Sequence, residues 1–200
     1  EIISNGKKLI SNSGYFPNRY NKLNKLSKSS ALQSTLIVED HSSCSFKKIE
    51  KFNFTISEGL KIIKKNIIQE ENYWKISAAH DGYLKKFGLI HEREIEFYPE
   101  QKKFVGFDKI SNKSLSKNTK FDIRFHLHPN TKVMKTQDNR SILIELEDEG
   151  WKFTCNNFDI NIDNSLYFGN KNSYKENRNI FISGITNMPD QVIKWETTKL

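Results

Sequence analysis

Two histidines and an arginine alternate with apolar residues in the stretch 121–129, which ends on a proline. A repeat of two predicts a β-strand whose side chains point alternately to opposite faces. The apolar members are Phe121, Ile123, Phe125 and Leu127, and the polar members are Asp122, Arg124, His126 and His128. We expect the apolar face to pack in a core and the polar face to be available for chemistry.

The two histidines leave three interpretations open. Because His126 and His128 would project from the same face of the strand, they could share a metal ion or grip one group of a substrate. Zinc sites normally use three or four protein ligands, and no further ligands are evident in the sequence. Alternatively, the two rings hydrogen-bond to neighbouring strands or face solvent. Arg124 either forms a surface ion pair with Asp122 or holds a ligand carboxylate.

A second polar motif, His80-Asp81-Gly82-Tyr83, reads as a turn or bulge in which Gly82 supplies backbone freedom. Histidine and tyrosine can act as base and acid in proton transfer, so His80 and Tyr83 are candidates for a site. The other interpretation gives Gly82 a conformational role and Tyr83 a packing role. The block 91–94 reads as a solvated face with local charge pairing, and no carboxylate–histidine spacing links the histidines.

These motifs lie among many short strand-like runs separated by turn residues, which predicts an all-β fold, an antiparallel two-layer β-sandwich. The stretch 59–69 has a possible helical stripe but fits a strand equally well, and 18–30 and 111–120 read as exposed loops. We expect residues 1–200 to form a single domain. The predicted core aromatic and aliphatic residues are Phe125, Trp151, Phe153, Ile160, Phe181 and Trp195. The predicted strands are 7–10, 34–38, 52–56, 73–78, 83–98, 103–110, 121–128, 141–146, 151–155, 158–162, 180–183 and 192–197.

Composition limits the function classes. The formal net charge is +8, and 32 of the 200 residues are Lys or Arg. This charge reflects either a lysine-rich composition that keeps the surface solvated or attraction to an acidic partner. Arg, which recognises phosphate and carboxylate in a bidentate way, is scarce, and no aromatic-basic platform suggests nucleic-acid binding. No run approaches the roughly 20 apolar residues that a spanning helix needs, so we expect no membrane insertion.

Other chemistries lack their motifs. Cys44 and Cys155 are far apart and form no Cys-x-x-Cys pair, so zinc-ribbon and redox-motif interpretations fail. Two free buried thiols are expected, although one long-range disulfide stays open. The sequence has no nucleophile elbow and no glycine-rich phosphate loop.

In order along the chain, several segments resemble the C-terminal β-domain of heparinase II/III-like proteins. The resemblance covers nearly the whole sequence, and it is this order and coverage that make it specific. The segments are Glu1 to Gly14, Gln33 to Leu36, Ala79 to Tyr83, Phe87-Gly88, His91 to Arg93, Gly106 to Asp108 and Arg124 to Pro129.

The resemblance implies a polysaccharide lyase whose N-terminal α/α toroid packs against this β-domain, with an acidic polysaccharide such as a glycosaminoglycan in the cleft between them. It implies β-elimination, in which the uronate carboxylate is neutralised, a base removes the C5 proton and an acid protonates the leaving oxygen. The catalytic residues are expected upstream of Glu1, so the chain alone is expected to be an inactive, N-terminally truncated fragment. The substrate-cleft candidates are Arg124, His126, His128, His80 and Tyr83.

The chain departs from the family at two positions. Some members hold zinc partly through an Asp and a His, and those positions correspond here to Asn12 and Gln33. Neutral amides are poor zinc ligands, so we expect no metal and no cofactor. These departures also keep open a non-catalytic glycan-binding or structural module. The resemblance implies a location in the cell envelope or periplasm.

Overall fold

A computed structural model describes residues 1–50, 53–113, 118–169 and 173–200 of the chain. Two antiparallel sheets pack face to face, and a separate two-stranded hairpin lies beside them. The predicted all-β antiparallel sandwich is therefore confirmed. In the described ranges, no helix is long and apolar enough to cross a membrane.

The smaller sheet has strand order β1-β2-β10-β15-β14, and β3 pairs with β10 beside β2. Its strands are β1 (Ile2–Ser4), β2 (Lys7–Ser11), β3 (Leu36–Val38), β10 (Thr119–Leu127), β14 (Ile160–Tyr167) and β15 (Lys175–Thr186).

The larger sheet has strand order β11-β12-β13-β16-β9-β8-β7-β6. Its strands are β6 (Ile62–Glu70), β7 (Tyr73–Tyr83), β8 (Leu89–Tyr98), β9 (Lys103–Asn112), β11 (Thr131–Lys135), β12 (Ser141–Leu146), β13 (Glu149–Cys155) and β16 (Asp190–Lys199). The hairpin consists of β4 (Ser45–Lys48) and β5 (Phe54–Glu58). The helices are α1 (Lys22–Lys28), α2 (Leu84–Phe87) and a 3-10 turn at Ser30–Leu32.

The core lies between the two sheets and is built by alternate residues of each strand. The predicted apolar face of β10 is buried as expected. From that face, the Phe125 ring contacts Phe153 and Trp195 of the larger sheet, with ring centroids 4.9 and 4.8 Å apart. The predicted core residues Phe125, Trp151, Phe153, Ile160 and Trp195 are all buried.

Phe181 is an exception, because it is only half-buried. Its neighbours Ile180 and Ile182 occupy the inner face of β15, so Phe181 points to the outer face. There its ring lies 5.6 Å from the Arg124 guanidinium. The prediction that Phe181 belongs to the core is therefore wrong.

Two helices depart from the sequence expectation. The predicted strand 83–98 is interrupted by α2, which ends at Gly88 with φ of 69°, a left-handed conformation that glycine adopts without strain. The predicted loop 18–30 contains α1, whose first turn is capped by the Asn21 side chain accepting from the Leu23 amide at 2.9 Å. The ambiguous stretch 59–69 forms most of strand β6.

Strands β4 and β11 are absent from the predicted strands. Residue 52 of the predicted strand 52–56 and residues 114–117 of the predicted loop 111–120 lie outside the described residues. The assignment of residues 1–200 to one domain stays a prediction.

The chain between β2 and β3 crosses the outer face of the smaller sheet. A second, small apolar cluster of Phe16, Leu32 and Phe168 holds this segment in place, supported by Leu23 and Leu166. Because this cover lies over the polar face of β10, it decides which of the predicted site residues can reach solvent.

Candidate functional site

A chain of polar side chains crosses strands β7, β8 and β9 on the inner face of the larger sheet. Strand pairing places His80 of β7 opposite His91 of β8, and Arg93 of β8 opposite Asp108 of β9. These residues point to the inner face, where Asp108 is fully buried and His91 is 3% exposed. We call His80, His91, Arg93 and Asp108 the buried polar chain.

Asp108 is the centre of this chain and is satisfied by four hydrogen bonds. Its Oδ1 accepts from His91 Nε2 at 2.6 Å and from Arg93 Nε at 2.7 Å. Its Oδ2 accepts from Trp195 Nε1 at 2.9 Å and from Arg93 Nη2 at 3.1 Å. A buried carboxylate is tolerated only when it is paired and hydrogen-bonded in this way.

The hydrogen bonds show which nitrogen of each histidine ring carries the proton. The Gly82 amide donates to His80 Nδ1 at 3.2 Å, so His80 carries its proton on Nε2. That proton is donated to His91 Nδ1 at 3.2 Å, and His91 in turn donates from Nε2 to Asp108. Every nitrogen of both rings therefore has a role when both rings are neutral.

The pKa values agree with this arrangement. Burial would raise the pKa of Asp108, but the Arg93 charge and the hydrogen bond from His91 hold it well below its usual range. Burial and, after it, the electrostatic effect of His91 lower the pKa of His80 to about 4. Near neutral pH the chain therefore contains an ionised Asp108 carboxylate, the Arg93 guanidinium and a neutral His80 imidazole.

This arrangement fixes the turn that carries His80. Both ring nitrogens of His80 are engaged, so the ring can accept a proton from a substrate at Nδ1 only after the hydrogen bond from the Gly82 amide opens. Gly82 is required because a side chain would not fit at this position, and its φ is not in the left-handed region. A Cβ at Gly82 would lie 2.6 Å from the Ser43 carbonyl oxygen. The predicted bulge is present, as a register shift between His80 and Tyr83.

Tyr83 does not reach a cleft. Its side chain is 1% exposed, and its hydroxyl donates to the Leu36 carbonyl oxygen at 2.6 Å. Burial raises the pKa of this phenol far above its usual value. The packing role considered for Tyr83 is confirmed, and its assignment to a substrate cleft is wrong in this structure because the ring is sealed in the core.

His126 is also buried, which contradicts the predicted solvent-facing row. The segment that crosses the smaller sheet covers it completely. Its Nδ1 accepts from the hydroxyls of Ser165 at 2.9 Å and Ser13 at 3.2 Å, and its Nε2 donates to the Ala31 carbonyl at 3.0 Å. Burial lowers the pKa of His126 to about 4. This ring connects the covering segment to the sheet, so direct contact with a substrate is excluded in this conformation.

Arg124 of β10 and His128, which directly follows β10, remain accessible. Arg124 Nη2 lies 3.3 Å from Asp122 Oδ2, so the predicted ion pair is present. His128 is half-buried, and its ring meets Tyr167 edge to face at 5.2 Å between centroids. A substrate contact by Arg124, His128 or His80 stays a prediction.

The two positions that depart from the family pattern have structural roles. Asn12 Oδ1 accepts from the Ser34 amide at 2.9 Å, and Gln33 Nε2 donates to the Ser27 carbonyl at 3.1 Å. Within the described ranges, no group of three or more His, Cys, Asp or Glu side chains could hold a metal ion. Cys44 and Cys155 are both free thiols; Cys155 is buried, whereas Cys44 is only half-buried.

A cavity of about 520 Å³ opens between helix α1, the loop before β4 and the turn 80–83. Its wall includes two lysines, two phenylalanines, a histidine and an aspartate, namely Lys25, Lys86, Phe46, Phe87, His41 and Asp40. Gly82 also lines it, so the buried polar chain and the cavity share one turn. We call this space the α1 cavity.

Sequence reasoning missed His91, Arg93 and Asp108 as a connected group. The block 91–94 was interpreted as a solvated face, which is wrong for His91, because β8 alternates and its buried side also carries Leu89. That alternation was visible in the sequence. The partner Asp108 was not, because its position opposite Arg93 depends on the register of β8 against β9.

Three comparisons place these features in context. The family model described as Heparinase II/III-like, C-terminal, matches residues 1–196. The FtsZ-localized protein C of Caulobacter vibrioides is 26% identical over 133 residues, which is 62% of this chain and 23% of that protein.

Solved structures share the fold. The heparan sulfate lyase HepC from Pedobacter heparinus superimposes with a TM-score of 0.76 at 12% identity, over 97% of this chain and 29% of that one. A heparinase III structure superimposes with a TM-score of 0.68 at 15% identity, over 98% of this chain and 28% of that one. The chain spans less than a third of the length of these relatives. The match of the family model across almost the entire sequence shows that the chain belongs to the heparinase II/III-like C-terminal domain family.

Proposed function

We propose that this chain is the β-domain of a polysaccharide lyase-like parent that cleaves uronate-containing acidic polysaccharide by β-elimination. The observation that carries the proposal is the family match over residues 1–196. The fold shared with a heparan sulfate lyase and a heparinase III is consistent with it. Because the chain spans less than a third of those proteins, the reaction itself belongs to the proposed parent chain.

In this proposal the β-domain supplies one wall of the substrate cleft and a rigid support for it. β-Elimination requires neutralisation of the uronate carboxylate before the C5 proton can leave, because an adjacent negative charge opposes formation of the carbanion. The formal net charge of +8 favours the approach of such a polyanion. The base, the acid and the neutralising group are expected from the toroid and from the segment before Glu1.

The test is an assay of the longer parent chain on a panel of uronate-containing polysaccharides. Elimination creates a conjugated double bond in the product, so absorbance should rise with time on at least one substrate. The chain of residues 1–200 alone should give no rise. A folded parent that produces no unsaturated product from any member of the panel would exclude the lyase proposal.

A second candidate is a non-catalytic glycan-binding or structural β-module of the cell envelope. It is favoured by Asn12 and Gln33, which replace the metal-binding residue types and form structural hydrogen bonds instead. The relationship to the FtsZ-localized protein C, whose name describes localisation with FtsZ, also favours a role other than polysaccharide degradation. Retained binding of acidic polysaccharide by a parent without lyase activity would support this candidate.

The location in the cell envelope or periplasm is part of the proposal. Fractionation of cells that express the tagged parent chain tests it directly. Recovery in the cytosolic fraction alone would contradict it.

A further inference from the structure

We propose that the α1 cavity binds one anionic sugar unit of the polysaccharide, with Lys25 and Lys86 contacting its carboxylate or sulfate group. The inference rests on the proposed function and assigns a location to the sugar contact. The α1 cavity is not lined by the sequence-predicted cleft residues Arg124, His126 and His128.

The charge of the cavity wall favours an anionic ligand. Lys25 and Lys86 are both exposed, and no described carboxylate lies within ion-pair distance of either ammonium group. By contrast, neighbouring Lys85 pairs with Glu58 at 2.9 Å. The two cavity lysines therefore keep their hydrogen-bond donors available for an anionic ligand.

Aromatic rings hold the two cavity lysines in place. Lys25 Nζ lies 4.5 Å from the centre of the Phe54 ring, and Lys86 Nζ lies 5.5 Å from the centre of the Phe87 ring. A contact with an aromatic face orients an ammonium group without neutralising its charge. The site is thus partly organised before any ligand arrives, which reduces the entropic cost of binding.

The cavity wall combines apolar and polar groups, as a sugar-binding site requires. Phe46 and Phe87 offer apolar surface on which the C–H groups of a sugar ring can pack, as is usual in ligand pockets that combine apolar walls with a few polar groups. The Ser42 hydroxyl accepts a hydrogen bond from the Ser30 amide at 3.0 Å, and its own proton remains for a sugar oxygen. A volume of about 520 Å³ suits a ligand of one or two sugar rings.

A larger cavity elsewhere is less suitable. It has a volume of about 930 Å³ and lies near the end of β13. Its wall carries two carboxylates, Asp138 and Asp159, and one guanidinium, Arg140. This balance of charge repels an anionic sugar, whereas the α1 cavity has two lysines against the single carboxylate of Asp40.

The experiment measures the affinity of the 200-residue chain for a heparin-derived tetrasaccharide by titration calorimetry. The double substitution Lys25→Gln and Lys86→Gln removes both charges and keeps side chains of similar length and helix propensity. Loss of charge-assisted hydrogen bonds to the anion should weaken binding by about tenfold or more.

The matched control is the double substitution Lys132→Gln and Lys152→Gln, which makes the same change of net charge at exposed positions on β11 and β13. It should bind almost as tightly as the unmodified chain, and both variants should keep the unmodified thermal unfolding transition. Equal weakening in the two variants would show general charge attraction and would overturn the proposal. Absence of binding to the unmodified chain, or unchanged binding in the Lys25/Lys86 variant, would also overturn it.

Two further ligands identify the recognised group. A desulfated tetrasaccharide that still binds assigns the contact to the uronate carboxylate, and one that does not assigns it to sulfate. A neutral tetrasaccharide should not bind, and equal affinity for it would contradict the role of the two lysines. Lyase activity of the parent without binding at the α1 cavity would reject this inference alone, whereas binding without lyase activity would reject only the catalytic proposal.

Discussion

Asp108 is the central hydrogen-bond acceptor on the inner face of the larger sheet. It is fully buried and accepts hydrogen bonds from one imidazole, one guanidinium and one indole. Arg93, the guanidinium partner, also donates from Nη1 to the Ser34 carbonyl at 2.5 Å and lies 5.5 Å from the centre of the Phe125 ring. Arg93 thus connects Asp108 of the larger sheet to the segment that covers the smaller sheet.

Replacing Asp108 by Asn should destabilise the chain severely. The substitution leaves the Arg93 guanidinium partly buried without its counter-charge, and loss of one partner of a buried pair typically costs about 3–5 kcal/mol. Urea unfolding monitored by tryptophan fluorescence measures the change. Asp190→Asn is the control, because Asp190 pairs with Lys109 at the surface and should matter far less. Similar losses in the two variants would contradict the central role of Asp108.

Burial of His126 predicts a dependence of stability on pH. In the folded chain burial lowers its pKa to about 4, whereas an unfolded histidine has a pKa near 6.5. Between these values the unfolded state binds more protons than the folded state, so protonation favours unfolding. The stabilisation from this ring is fully present above about pH 6.5 and is lost as the pH falls towards 4.

The corresponding measurement is the free energy of unfolding at pH 7 and at pH 5. His126→Gln should lower stability at pH 7 but reduce the loss between the two pH values, because the titrating group is gone. His41→Gln, which removes a histidine at an exposed position, is the matched control. An unaltered pH dependence in His126→Gln would show that this ring does not titrate as expected. His80, whose pKa is also lowered to about 4, contributes to the remaining dependence.

At the scale of elements, the close contact between β9 and β16 depends on a glycine. Gly106 lies opposite Trp195, and a Cβ at Gly106 would stand 2.1 Å from the indole ring. The same indole donates to Asp108 and stacks on Phe153 with ring centroids 5.8 Å apart. The glycine therefore makes room for the side chain that joins the polar chain to the core.

Gly106→Ala should displace Trp195 and destabilise the chain by about 1–3 kcal/mol, as is typical of overpacking in a core. Denaturant unfolding measures this loss, and near-ultraviolet circular dichroism reports the change around the indole. Gly59→Ala is the matched control, since a Cβ at Gly59 would meet no atom within 4 Å. A Gly106→Ala chain as stable as the control would mean that the indole has space to move.

The elements that sequence reasoning identified correctly are those with a strong local repeat. Strand β10 alternates without interruption, and its apolar face is buried as expected. Helices α1 and α2 were not predicted, because α1 is short and polar and α2 is a single turn between two strands. Their positions depend on packing against the rest of the chain, which local composition does not report.

The site was less predictable than the fold because it depends on strand register and on which residues the segment between β2 and β3 covers. Alternation places His126 and Arg124 on the same face of β10, but only the path of the segment before β3 determines that one is sealed and the other is accessible. Similarly, the contact between His80, His91 and Asp108 requires three strands in one particular register. A shift of one residue would place these side chains on the opposite face.

At the scale of the whole molecule, the chain is a two-layer sandwich with an unusually polar interior at one end and a basic cavity beside it. The buried polar chain holds the turn 80–83, and Gly82 of that turn forms part of the wall of the α1 cavity. Under the proposed function, this arrangement would serve as a rigid support for a bound polyanion. The formal net charge of +8 strengthens the long-range attraction to such a ligand.

The most direct test of the account is the chemical nature of the ends that the parent chain creates in an acidic polysaccharide. Mass spectrometry of the products distinguishes the two ways of breaking the glycosidic bond, because elimination gives an unsaturated end that is lighter by one water than the product of hydrolysis. We expect every newly formed non-reducing end to be unsaturated. Saturated ends, or no cleavage of any uronate-containing substrate by the folded parent, would contradict the central claim.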